Sequence, residues 1–122
     1  MLADSRAFSG FAVPDIEQAT RFYGDTLGLR VEEQHGLLNL RLAGDREIVV
    51  YPKPDHVPAT YTILNFPVDD IEATVDALAE RGVVFERYHG FEQDERGILR
   101  GEGPPIAWFK DPAGNILSVI QE

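Results

Sequence analysis

A short motif occurs twice in this chain. VPDIEQAT begins at Val13, and VDDIEATV begins at Val68, 55 residues later. Self-similarity at a fixed offset means one supersecondary unit used more than once. The full length is 122 residues, enough for one domain and too few for two ordinary ones. The two copies are therefore read as halves of a single domain spanning 1–122. The first module covers about 7–52, a Pro-rich linker 53–59, and the second module about 60–122.

Each copy follows a run with strand character, AFSGFAV and then TYTILNFPV, and each begins a helix. In the first, Asp15 is a good N-cap and Gln18 three residues later suits a capping box. Ile16, Ala19, Phe22, Tyr23 and Leu27 keep helical spacing, and Gly28 stands where a helix stops. In the second, Asp70 caps, Ile71, Val75, Leu78 and Ala79 form the apolar stripe, and Gly82 ends it. Strand-like runs follow each helix. They are LRVEEQ, GLLNLRLA and REIVVYP in the first half, interrupted at His35-Gly36 and Gly44-Asp45. In the second half they are VVFERYH, GILRGE, PIAWFK and NILSVIQ, with a turn over Asp111 to Gly114 before the last. The order is strand, helix and three strands, twice: an α+β chain.

Charge and composition narrow the function. Asp and Glu number 21 against 11 Lys and Arg, a formal net charge of -10. Such a surface repels phosphate backbones, so no nucleic-acid partner is expected. It favours a cationic small ligand over an anionic one. The absence of cysteine excludes disulfides, thiolate metal sites and a cysteine nucleophile. No apolar run approaches the roughly 20 residues of a membrane helix. The opening MLADSRAF has no basic start followed by an apolar stretch, so a cytoplasmic location and no membrane partner are expected.

With Val13, Asp15, Arg21, Phe22, Tyr23, Leu27 and Gly28 in the first half, and Val68, Asp70, Gly82 and the DPAGN turn in the second, the sequence resembles the vicinal oxygen chelate superfamily. This is the glyoxalase, bleomycin-resistance and extradiol-dioxygenase group. The resemblance runs from about Phe8 to Gln121. It implies two βαβββ modules forming a curved, cup-shaped mixed sheet with helices on the convex face. It implies a homodimer as well, and each module alone is too small to bury an apolar sheet face.

Metal-using members of the group place His, Glu or Gln on four strands facing the cup, as a hard divalent ion requires. Carried over by motif, those positions fall on Phe8, Val50, Ile63 and Ser118. The first three have no donor atom, and a lone Ser hydroxyl is a poor ligand. No metal ligand, cofactor or catalytic residue is therefore assigned. Period-two alternation places Tyr61 and Asn65 on the face of Ile63. Trp108 or its neighbour Phe109 faces the cup, with Trp108 the choice. The expected ligand-binding lining is thus Phe8, Val50, Ile63, Asn65, Trp108 and Ser118.

His35, His56 and His89 have no metal-pair spacing. A slipped alignment would move the search to Glu47, His56, His89 and Glu95. Asp69-Asp70 is explained by the helix cap. The leading expectation is a metal-independent small-molecule binding protein of the glyoxalase/bleomycin-resistance type, its ligand held in the cup. One alternative is a metal-dependent lyase, isomerase or dioxygenase with other ligands. Another is a module that acts through dimerisation alone.

Overall fold

The computed structural model describes residues 1–122. The chain divides into two compact units, Met1–His56 and Val57–Glu122, within the Pro-rich segment. Each unit carries one sheet and one principal helical segment, so the fold is α+β.

The first unit runs β1 (Ser9–Val13), α1 (Ile16–Thr20), β2 (Arg30–Gln34), β3 (Leu37–Leu42) and β4 (Arg46–Pro52). The Asp15 side chain accepts from the Gln18 amide at 3.1 Å and satisfies an orphan donor of the first turn. The helix does not stay α throughout. Arg21–Thr26 is π-helical, with the Leu27 amide donating to the Phe22 carbonyl at 2.9 Å. Tyr23 is fully buried here, and its ring sits 5.7 Å from Phe11 and 5.1 Å from Phe22. The sheet order is β1-β4-β3-β2. Strand β1 runs parallel to β4, and the other pairs are antiparallel. His35 and Gly36 both have positive φ, 55° and 78°, as a two-residue hairpin between β2 and β3 requires.

The second unit runs β5 (Thr62–Val68), α2 (Ile71–Glu80), β6 (Ile106–Lys110) and β7 (Ile116–Gln121), with sheet order β5-β7-β6. Asp70 caps α2 by accepting from the Ala73 amide at 3.1 Å. The Gln121 side chain also accepts from the Ile71 amide at 2.9 Å, tying the helix start to β7. Ile71 and Val75 are buried, Leu78 is half-buried, and Ala79 is exposed, so the apolar stripe is narrower than its spacing suggests. Leu117, Val119, Ala107 and Phe109 are all buried and share one face of the sheet. Helix α2 packs on β7.

Between α2 and β6 the regular ladder is lost. The expected strands VVFERYH and GILRGE keep only single bridges, Phe85 to Phe109, Gln93 to Leu99 and Leu99 to Ile106. Side chains supplement the remaining backbone bonds there. Asp94 Oδ1 accepts from the Arg96 and Ile98 amides, each at 2.9 Å. Arg96 makes a two-point contact with Asp76 of α2 at 2.9 and 3.2 Å. Arg100 reaches Glu72 on the same helix at 2.8 Å.

Candidate functional site

The face of the second sheet opposite the buried Leu117–Phe109 set is organised around one cross-strand row. Asn65 of β5 pairs with Ser118 of β7, and Ser118 pairs with Trp108 of β6. Paired residues point to the same side of a sheet, so these three expected lining residues stand side by side. Ser118 is fully buried, and its hydroxyl donates to Asn65 Oδ1. Its proton is therefore committed within the sheet.

Trp108 anchors an aromatic cluster. The Tyr88 ring meets it edge-on at 5.4 Å, and the Phe91 ring stacks on it at 5.7 Å with planes 22° apart. Tyr88 and Phe91 touch each other edge-on at 6.3 Å. These are favourable aromatic geometries. The three rings form one wall of a pocket of about 220 Å³, and Tyr61, Thr60, Thr62 and Ile116 complete it. No charged residue lines it. The Tyr88 hydroxyl is buried without a hydrogen-bond partner. Burial, with the nearby Glu86 carboxylate second, holds its pKa above the ordinary tyrosine value.

The six expected lining residues fare differently. Trp108 lines the pocket, and Asn65 and Ser118 adjoin it in the row. Ile63 does not line it, because the β5–β7 register shifts there. Thr62 pairs with Ile116 and Leu64 with Leu117, leaving Ile63 as the extra residue of a bulge. The bulge breaks the period-two count, and Thr62 reaches the pocket instead. Val50 is corrected more firmly. It pairs with both Phe11 and Leu38, and the Phe11 ring touches Tyr23 of the helical segment. Val50 thus belongs to the helix-covered core, fully buried. Its neighbour Val49, paired with Gly10 and Asn39, occupies the other face. Phe8 precedes β1 and is 68% exposed.

Thr60, Thr62, Tyr88, Phe91 and Ile116 line the pocket without having been expected there. The loop holding Phe91 has no periodicity to read, and the aromatic pair flanking His89-Gly90 was its only signal.

A resident metal does not fit the donors present. No group of three or more His, Asp or Glu side chains is placed to hold one. Ser118 Oγ already donates to Asn65, and Val50 and Ile63 bring no donor atom. Of the substitutes considered, Glu47 is ion-paired with Arg41 at 3.0 Å and Glu95 lies 3.6 Å from Arg96. No helix is long and apolar enough to cross a membrane.

Known proteins place this geometry. Residues 7–119 match the profile of the Glyoxalase/Bleomycin resistance protein/Dioxygenase superfamily. The chain belongs to that superfamily. A glyoxylase-like domain-containing protein of Didymella fabae is 25% identical over 91% of this chain and 90% of its own length. The crystal structure of TnmS3, an antibiotic binding protein from a Streptomyces strain, is 28% identical, with TM-score 0.71 and 97% of each chain covered. A glyoxalase family protein from Enterococcus faecalis shares the fold at 22% identity, with TM-score 0.71 over 98% of this chain and 99% of its own.

Proposed function

We propose that the chain is a small-molecule binding protein of the glyoxalase/bleomycin-resistance type that works without a metal. In this reading the ligand lies against the Trp108–Tyr88–Phe91 wall and presents it with a flat, unsaturated face. The observation that carries the proposal is the lining itself: four aromatic rings, two threonine hydroxyls and one isoleucine, with no charge. Such a pocket offers stacking area and a few weak polar handles. It offers no general base and no nucleophile activated by one. The likeness to an antibiotic binding protein at 28% identity supports the same class. Net charge of -10 enriches cations near the surface, so a flat cation is the favoured ligand. The protein is read as a cytoplasmic homodimer.

The test uses the single Trp of the chain. Its fluorescence is titrated with proflavine (a planar cation), acridone (planar and neutral) and tetramethylammonium (a compact cation without a ring). Saturable quenching by proflavine, weaker quenching by acridone and none by tetramethylammonium is the expected pattern. Elemental analysis of the same sample is expected to find no retained metal. One retained metal per chain, with turnover that depends on it, would replace binding with catalysis. No response to any probe would remove the small-molecule reading.

A further inference from the structure

We propose that Gln93 is the positioning residue of the aromatic wall, and through it sets which flat ligands the pocket admits. This rests on the reading of the pocket given above. Backbone pairing reaches as far as the Glu86 amide, which donates to the Trp108 carbonyl at 2.8 Å. Tyr88 and Phe91 lie beyond it on a segment without a regular ladder, where a side chain is needed to hold them. That side chain is Gln93. Its Oε1 accepts from the Tyr88 amide at 2.8 Å. Its Nε2 donates to the Glu86 carbonyl at 2.9 Å and to the Gly97 carbonyl at 2.7 Å.

The network fixes the orientation of the amide. The Tyr88 N–H can only donate and the two carbonyls can only accept, so oxygen and nitrogen cannot be exchanged. Both Nε2 hydrogens are used. Without Gln93, one backbone donor and two acceptors in a half-buried segment lose their partner together. Gly97 is matched to this clip. Its φ is +90°, and a Cβ there would stand 3.2 Å from the Phe85 Cβ. The clipped residues bracket the turn from Tyr88 to Phe91, closed by the Phe91 amide donating to the Tyr88 carbonyl at 3.2 Å. One side chain therefore fixes the turn whose two rings meet Trp108.

No other residue type reproduces this set. Glutamate keeps the length and the acceptor, but aims a carboxylate at two carbonyls. Methionine keeps the volume and has neither function. Three measurements on Gln93→Glu and Gln93→Met test the proposal: near-UV circular dichroism of the free protein, melting temperature, and proflavine affinity read from Trp108. Both variants are expected to lose much of the aromatic near-UV signal while far-UV ellipticity persists. Proflavine binding is expected to weaken about tenfold, the equivalent of roughly 1.4 kcal/mol of lost wall preorganisation. For Gln93→Glu, affinity is expected to recover as pH falls and the introduced carboxyl gains a proton to donate, a dependence the parent and Gln93→Met lack. A role in general stability alone would lower the melting temperature and leave near-UV signal, affinity and pH profile unchanged in the folded protein, and that result overturns the proposal. So does a lost near-UV signal with parental affinity. If the parent binds none of the probes, the ligand reading falls, and the near-UV signal of the two variants still decides whether Gln93 holds the wall. Should Gln93→Glu fail to fold, Gln93→Met carries the decision.

Discussion

Ser118 donates its hydroxyl proton to Asn65 Oδ1 across directly paired positions of β7 and β5. The hydroxyl is fully buried while Asn65 remains exposed, so the bond joins the sheet interior to its open face. Ser118→Ala removes the donor and leaves an acceptor that water can reach. The expected cost is about 1 kcal/mol, measured by urea denaturation. Ser118→Glu introduces a carboxylate at one of the four positions on which the family resemblance places a metal ligand. Here it would be buried without a cation, and its expected cost is larger, on the order of 3 kcal/mol. It is also expected to retain no Ni, Zn, Mn or Fe(II), because the neighbouring positions supply no further ligands. Stoichiometric metal in that variant would show that a ligand set survives nearby.

Some of this was legible in sequence and some was not. Asp15 and Asp70 were readable as caps because capping is local: the side chain bonds an amide three residues on. The His35-Gly36 hairpin was readable for the same reason. Trp108 and Ser118 stand beside one another because β6 and β7 are regular where they meet, and Asn65 pairs with Ser118 just past the bulge. Val50 was misplaced because counting along a strand fixes a face only if the count is right to one residue. The parity is set by the pairing of Phe11, Val50 and Leu38, which lie far apart in sequence. Ile63 was misplaced because a bulge leaves no mark in hydrophobic alternation. The aromatic wall was invisible because a side-chain amide, and not a ladder, holds Tyr88 in place.

The two faces of β4 give a direct check. Val50 is fully buried on the helix-covered face, and Val49 is half-buried on the other. Val50→Ala is expected to cost about 2 kcal/mol through lost burial and the cavity left behind. Val49→Ala is expected to cost less than half of that. Guanidinium midpoints at constant m-value measure both. A reversed order would put the register one residue off.

Gly97 and Gly101 separate backbone strain from crowding. Both have φ near +90°, where a side chain is strained. At Gly97 a Cβ would also press on Phe85 at 3.2 Å, whereas at Gly101 nothing lies within 4 Å. Gly101→Ala is expected to cost about 1 kcal/mol from conformation alone. Gly97→Ala is expected to cost clearly more, and to disturb the near-UV signal of the aromatic cluster, which Gly101→Ala leaves intact. Equal costs would mean that Phe85 yields freely.

The Asp76–Arg96 contact ties the loop carrying Gln93 to helix α2, and its pH dependence has a definite sign. The Arg96 guanidinium, by its hydrogen bond first and its charge in addition, holds the Asp76 carboxyl below the usual aspartate pKa. A folded-state pKa below the unfolded one means stability that is present above the unfolded value, about 3.9. That stability is lost as pH falls through the folded pKa. Asp76→Asn should therefore melt below the parent at pH 7, by a small margin because the pair is exposed. Near pH 3 and below, the margin should shrink toward zero as the parent's carboxylate takes up its proton. Melting curves of both proteins across that range check this. A margin unchanged by acid would mean that hydrogen-bond geometry, not charge, joins loop to helix. Added salt should narrow the margin at pH 7 by screening the pair, so the same curves in 1 M NaCl provide an independent reading of the same charge.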